Sequence, residues 1–239
     1  SSRRVLFFYG CKVIRKIPSG ALHLIRKSEK CACAGDFDYL CRENACGRIV
    51  MDIREIIDRI YRMPESSAVR LAACMSSLSR PRGYCVLEAG RVEPNLFFIG
   101  RGIARACISA DGKKVTFWIG AEGSALVSLK SYVDDEPGYE TVELMEDSLL
   151  YVLKRSDLER FLAEDIHIAN WARRFAESEF LRTEQKLIPM LFLPAARRYE
   201  TLLRERPELL RRVPLETLAS YLGITPVSLS RIRARMKSK

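Results

Sequence analysis

Near the C-terminal end, Ser228, Arg231 and Arg235 fall three and four residues apart, flanked by Ser230, Arg233 and Lys237. On a helix the first three share one face. Leu229, Ile232 and Met236 fall on the other face. Hydroxyl and guanidinium groups in front of an apolar back suit a helix that hydrogen-bonds base edges and phosphates in the major groove of duplex DNA. Thr225 supplies an N-cap and Pro226 the first helical position, where a missing N–H costs nothing. Val227 follows; it cannot hydrogen-bond a base but can meet a thymine methyl group. The candidate DNA-contacting set is Thr225, Val227, Ser228, Ser230, Arg231, Arg233, Arg235 and Lys237. The plainer alternative is a helical hairpin with a solvated basic face, and the turn before this helix argues against it. Leu215, Leu218, Ala219 and Leu222 recur at helical spacing after Pro214, and Gly223 stands where a left-handed residue ends a helix.

A second group with possible chemistry is Cys31, Cys33, Cys41 and Cys46, four thiols that would suit zinc or an iron–sulfur cluster. Their spacing is not the paired C-x2-C arrangement of zinc knuckles. The chain has eight cysteines. Cys74, Cys85 and Cys107 lie far apart in apolar surroundings, which fits a reduced, cytoplasmic protein better than a disulfide framework. Two histidines, His23 and His167, stand well separated in sequence, and no glycine-rich phosphate loop is present. No nucleophile–base motif is legible, so an enzyme is not expected.

The elements that must position these residues follow from composition and periodicity. The chain has 239 residues, 48% of them hydrophobic, and a net charge of +10. The positive excess lies at the two ends, with a mildly acidic middle. That suits a sensor joined to a polyanion-binding end. No stretch approaches a membrane helix in length. Ile53, Ile56, Ile57 and Ile60 predict a helix from Asp52 to about Arg62, ended by Pro64. Residues 68–78 suggest a second short helix, stopped by Pro81. Short β-rich runs then alternate with glycine-bearing turns: 84–88, 96–101, 103–109, 115–119, 141–144 and 149–153. Asp111-Gly112 is a hairpin signal. Such spacing predicts a sandwich or jelly roll. Ser156 and Glu159 read as a capping box. A long helix follows from about Glu164 to Leu187, striped by Ile168, Trp171, Phe175 and Leu181. Pro189 and Pro194 bracket a plausible hinge. An amphipathic helix from Pro194 to Arg206 would turn Tyr199, Leu202 and Leu203 inward and Arg197, Arg198, Arg204 and Arg206 outward.

The segment from Ala219 to Arg233, Ala-Ser-Tyr-Leu-Gly-Ile-Thr-Pro-Val-Ser-Leu-Ser-Arg-Ile-Arg, resembles the helix-turn-helix of the cyclic-AMP receptor protein / fumarate-nitrate regulator (CRP/FNR) family of bacterial transcription factors. The chain from Met51 onward has the matching layout. The resemblance implies an α+β architecture: a jelly-roll, cyclic-nucleotide-binding-like sensor domain over 51–163, a dimerisation helix over 164–189 and a helix-turn-helix domain over 190–239. Met51-Asp-Ile-Arg-Glu55 looks like a start for this family, which leaves 1–50 as a cysteine-rich extension or upstream sequence. Double-stranded DNA, a second copy of the chain and a small-molecule effector are the implied partners, with no membrane. Ile168, Trp171 and Phe175 are the implied dimer interface; the alternative is that this stripe packs on the chain's own jelly roll, with Trp171 and Phe175 serving both. An arginine at the position of Arg231 reaches a base edge in the family, and Arg235, Arg233 and Lys237 would meet phosphate. In many members a β-wing precedes the motif; here only Glu208–Arg212 intervenes, so a reduced wing or none is expected.

The family's cyclic-nucleotide sensors hold the cyclic phosphate with a Gly-Glu segment and a following Arg-Ser/Thr-Ala. The corresponding stretch, 120–141, has neither, and no arginine stands between Arg105 and Arg155. Lys130 is its one cation, facing Asp134, Asp135 and Glu136. Tight cyclic-AMP binding is therefore not expected, and the effector is open. Phe117, Trp118, Leu126, Lys130, Tyr132 and Tyr139 would line a pocket for a less anionic ligand, or the apolar ones simply fill the jelly-roll core. A competing reading makes the chain a ligand- or redox-sensing module with a metal-binding N-terminus, whose basic end is an interaction tail.

Overall fold

The computed structural model describes residues 50–110 and 112–237. Asp52 caps the first helix, α1 (Ile53–Ile60), by accepting the Glu55 N–H at 2.8 Å. Its apolar spacing buries Ile56 and Ile57. The next helix, α2 (Glu65–Ala73), is shorter than the sequence suggests. Met75 to Leu78 belong instead to strand β1 (Met75–Arg80), in which Met75 is buried and Ser76, Ser77 and Ser79 are exposed. The strands β2 (Cys85–Leu87), β3 (Leu96–Arg101), β4 (Ala104–Ala110), β5 (Lys113–Gly120) and β6 (Ala125–Leu126) follow. A one-and-a-half-turn helix, α3 (Leu129–Asp134), interrupts them before β7 (Thr141–Leu144) and β8 (Ser148–Leu153).

The strands form two four-stranded antiparallel sheets, ordered β1-β8-β3-β6 and β2-β7-β4-β5. Every residue of β3 is buried, because its sheet is covered on both faces. One face meets the other sheet through Phe97, Ile99, Leu126, Val142, Leu144 and Leu150. The other meets helices, with Phe98 and Leu153 packed against Ile56, Ile57, Leu71, Phe161 and Trp171. Strands β4 and β5 form a hairpin that pairs Ala110 with Lys113. Its register shifts between Ala106 and Cys107, so that Ala106 faces Trp118 and Cys107 faces Thr116. A shift of this kind is a β-bulge, which re-aims side chains locally.

After the sheets come α4 (Arg155–Glu164) and the long helix α5 (Ile166–Phe192). The expected capping box at Ser156 does not form: α4 begins at Arg155 with Lys154 at the N-cap and no side-chain cap. Asp165 caps α5 instead, accepting the His167 and Ile168 N–H groups. Pro189 lies inside α5, which runs on to Phe192. Most of the hinge segment expected between Pro189 and Pro194 is therefore helical, and the chain leaves the helix only at Leu193 and Pro194. A proline forgoes its own amide bond, here to Gln185, and its ring crowds the Gln185 carbonyl; the helix ends one turn later at Phe192.

Four more helices follow among the described residues: α6 (Ala195–Glu205), α7 (Leu209–Arg212), α8 (Leu215–Tyr221) and α9 (Pro226–Lys237). Among the described residues no strand follows β8, so a single turn of helix stands where a wing was weighed. Tyr199 and Leu202 are buried on α6 as expected. Leu203 is exposed, and Arg198 and Arg206 turn inward to donate to backbone carbonyls. The C-terminal helices do not form a free-standing core. Leu209, Leu218, Ala219, Leu222 and Leu229 share one apolar cluster with Ile103, Ile119 and Ala121 of the strands and their edge. No described helix is long and apolar enough to cross a membrane.

Candidate functional site

The two-helix unit at the C-terminus is assembled from local signals. Gly223 ends α8 with φ +68°, a backbone state that favours glycine. Thr225 Oγ1 accepts the Ser228 N–H at 3.1 Å, so the threonine caps α9. Leu229 is fully buried, and Ile232 and Met236 pack beside it. That fixes the rotation of α9. Val227, Ser230, Arg231 and Arg235 are turned to solvent, while Arg233 is half-buried toward one edge. Ser228 is half-buried, and its hydroxyl lies 2.9 Å from Thr225 Oγ1. The outward face is thus centred on Val227 and Arg231 rather than on Ser228. Nothing is described of the Lys237 side chain. Twelve residues make α9 about 18 Å long, enough to lie along a major groove.

The C-terminal helices are fastened to the second sheet by polar contacts. Arg212, at the end of α7, donates to Glu122 Oε1 and Oε2 at 2.7 and 3.0 Å and also pairs with Glu146. Burial works to raise the Glu122 carboxyl, but the Arg212 guanidinium and the Gly102 N–H outweigh it and hold it below the usual carboxylate range. The same pair of carboxylates holds Arg212 charged. Arg105 on β4 bonds Glu143 Oε2 at 2.8 Å and reaches Thr217 Oγ1 of α8 at 3.3 Å. Thr116 N–H on β5 donates to Ser220 Oγ at 2.8 Å. Arg206 donates to the Ile119 carbonyl at 2.8 Å.

Of the three expected dimer-interface residues, Ile168 and Trp171 do not face outward, and Phe175 is half-buried. Ile168 and Trp171 are 0% exposed within the single chain. Trp171 stacks on Phe175 at 5.9 Å, tilts against Phe98 and donates its indole N–H to the Ile57 carbonyl at 3.1 Å. A side chain already committed to its own core has no surface left for a partner. The uncovered apolar residues lie further along α5: Phe180, Leu181, Leu187, Ile188, Leu191 and Phe192. Phe180, Leu187 and Leu191 recur at helical spacing, as do Leu181, Ile188 and Phe192.

The six expected pocket residues are not brought together. Leu126 is buried between the sheets, Tyr132 packs against the helical side of the core, and Tyr139 is 62% exposed. Lys130 is tied to Glu136 Oε2 at 2.7 Å on the surface. Only Phe117 and Trp118 line a common cavity, which lies outside the sandwich against α5 and α6. Trp118 folds back over Gly120, where an added Cβ would meet the indole at 2.0 Å. The stretch corresponding to the family's phosphate cassette contains the buried side chains Ser128, Ser131 and Glu140. Ser128 Oγ and Glu140 Oε2 are buried without a hydrogen-bond partner. This stretch thus buries a glutamate side chain and no arginine. The helix α3 and the Arg155–Asp135 contact, 2.5 Å long, that ties its end to α4 were missed from sequence. Six residues of weak periodicity and an arginine twenty positions away left no signal.

Cys31, Cys33, Cys41 and Cys46 lie outside the described residues. Among the described residues, Cys74, Cys85 and Cys107 are free thiols, and no group of three metal-binding side chains occurs.

Residues 78–165 match the family model for a cyclic nucleotide-binding domain. The fold is similar to that of the c-di-GMP-responsive global regulator CLP of Xanthomonas campestris, with a TM-score of 0.59 and 15% identity, covering 73% of this chain and 92% of that one. It is similar to FixK2 from Bradyrhizobium japonicum, with a TM-score of 0.57 and 18% identity, covering 69% and 85%. A protein from Eubacterium rectale described as a transcriptional regulator of the CRP/FNR family gives a TM-score of 0.56 and 14% identity, covering 74% and 84%. At these identities the likeness is one of fold. No curated protein sequence matches the chain.

Proposed function

We propose, from the cyclic nucleotide-binding fold that this chain shares with regulators of the CRP/FNR family, that it is a sequence-specific DNA-binding transcription regulator acting as a homodimer in the cytoplasm. The observation that carries the reading is the outward face of α9. Arg231 and Arg235 are exposed beside Ser230 and Val227, while Leu229 is wholly buried behind them. That helix can enter a major groove without unpacking its own core. Arg231, one turn into the helix, can pair bidentately with guanine O6 and N7, and Arg235 meets phosphate further along. Dimerisation through the uncovered second half of α5 would set two such helices on a palindromic site. The test is DNA selection from a random duplex pool, followed by mobility-shift competition. A preferred palindrome resistant to random competitor is the expected result. Equal binding to every duplex would reduce the C-terminus to a basic tail.

Tight binding of cyclic AMP is not part of this function. An enclosed phosphodiester needs a cation, and the cassette offers a buried Glu140 and a Lys130 already paired on the surface. Calorimetry with cyclic AMP is expected to show no micromolar affinity; observing it would reverse this part of the reading.

A further inference from the structure

The cavity lined by Phe117 and Trp118 has a volume of about 650 Å³, and its other walls come from α1, the loop after β5, α5, α6 and α8. Small-molecule sites span roughly 300–1,000 Å³. Most of the charged side chains on its wall are neutralised. Arg182 pairs with Glu179, Arg206 with Glu208 and Glu122 with Arg212. Lys186 and Arg198 are different. Lys186 donates to the Tyr221 carbonyl at 2.7 Å, and its ammonium lies 3.2 Å from the centre of the Tyr221 ring. Arg198 donates to the Leu193 and Leu222 carbonyls, each at 2.7 Å. Both cations therefore bond to backbone oxygens: to Tyr221 and Leu222 at the end of α8 and, for Arg198, also to Leu193 at the end of α5. Arg198 Nε is buried with no partner at all.

Capping the negative end of α8 accounts for the direction of these bonds. It does not account for two positive charges in a part-buried wall whose carboxylates, Glu122, Glu179, Glu205 and Glu208, pair with other arginines. Burial, and then the charge of Arg198, push the Lys186 ammonium down to about 8. An anion is the missing group. The aromatic side chains of Trp118 and Phe175 line the same cavity.

We propose that this cavity is an effector site for a small organic anion, whose phosphate or carboxylate head sits between Lys186 and Arg198 and whose aromatic body lies against Trp118 and Phe175. The site is separate from the sandwich interior. Its two cations come from α5 and α6 and already hold the end of α8. An anion bound there joins the long helix to the helix that leads into α9, so occupancy bears directly on how the DNA-reading helix is held.

The experiment is isothermal titration calorimetry on the full chain without DNA, using phenyl phosphate, benzoate and inorganic phosphate as probes. At least one aromatic anion is expected to bind about tenfold more tightly than inorganic phosphate, and comparison of the two aromatic probes identifies the head group. Lys186→Met is expected to weaken that probe at least about tenfold, whereas Lys186→Arg retains it. Trp118→Leu is expected to bring the aromatic probe down to the level of inorganic phosphate. Arg198→Lys, which keeps charge but loses the forked donor, provides a second variant on the other side of the site. The proposal is overturned if no probe binds at low-millimolar concentration, or if Lys186→Met and Arg198→Lys both bind as the parent does. Because DNA is absent, failure here leaves the DNA-binding reading untouched, and failure of DNA selection leaves this site untouched.

Discussion

Replacing Lys186 by methionine should change how stability depends on pH. Lysine ordinarily titrates at 10.5, and in this wall burial and the neighbouring Arg198 bring Lys186 to about 8. Below pH 8 the side chain is protonated in both the folded and the unfolded chain, and the folded state carries the full cost of a part-buried charge. As pH rises through 8 the folded state releases its proton while the unfolded state holds it until 10.5. The unfolded chain binds more protons throughout that window, so stability rises with pH there. Between about pH 7 and pH 9.5 the gain is about 2 kcal/mol if the whole shift is expressed. Solvent screening of the exposed part of the side chain reduces this to about 1 kcal/mol. Lys186→Met has no proton to release and should lack the increment. The assay is urea unfolding of both proteins at the two pH values under reducing conditions, read as the difference of differences, so that other titrating groups cancel. The parent should gain about 1 kcal/mol on the variant at the higher pH. If the two proteins change in parallel, Lys186 is not the strained cation described, and the case for an anion beside it weakens with it.

Arg231→Ala should weaken a selected duplex far more than random DNA and flatten the preference at one base pair per half-site, a loss of about 1–3 kcal/mol. Arg235→Ala should weaken both duplexes alike and lower the salt dependence by about one phosphate contact; indistinguishable behaviour of the two variants would refute the assignment. Leu187→Glu with Leu191→Glu should convert the chain to a monomer in sedimentation analysis without lowering its helix content, because both side chains are uncovered in the single chain; an unchanged mass would place the dimer contact elsewhere. Trp171→Ala should cost about 3–5 kcal/mol in urea unfolding, since it empties a fully buried site between Phe98 and Phe175. A cost near zero would mean that α5 is not anchored there.

The β-rich middle was readable because its punctuation is strong. Glycine-bearing turns at short intervals bound runs of β-branched and aromatic residues, and the strands follow those runs closely, as at Leu96–Arg101 and Thr141–Leu144. The pairing of α8 and α9 was readable for the same kind of reason: Pro214, Gly223, Thr225 and Pro226 each act on the backbone locally. What sequence did not reveal depends on contacts between distant segments. Ile168, Trp171 and Phe175 make a stripe that would serve a partner helix or a sheet equally well. Only the covering of β3 by α5 decides for the sheet. Met75–Leu78 carry a helix-compatible composition, and pairing with β8 draws them into a strand. Leu203 and Arg206 exchange their expected sides because the Ile119 carbonyl offers Arg206 an acceptor. Lys186 gave no signal at all. A lone lysine on a helix reads as surface until α6 and α8 close over it.

The apolar cluster shared by Ile103, Ile119 and Ala121 with the C-terminal helices has a consequence for modularity. A DNA-reading unit with its own closed core could be cut out, grafted or shuffled as a cassette. Here part of that core belongs to the sheet, so a fragment beginning at Pro194 would present bare Leu209, Leu218 and Leu222 to water. Cleavage between the two parts would strip Ile103, Ile119 and Ala121 from that cluster and destabilise the C-terminal fragment. Transplanting α8 and α9 onto another sensor would require carrying the β4–β5 hairpin along with them.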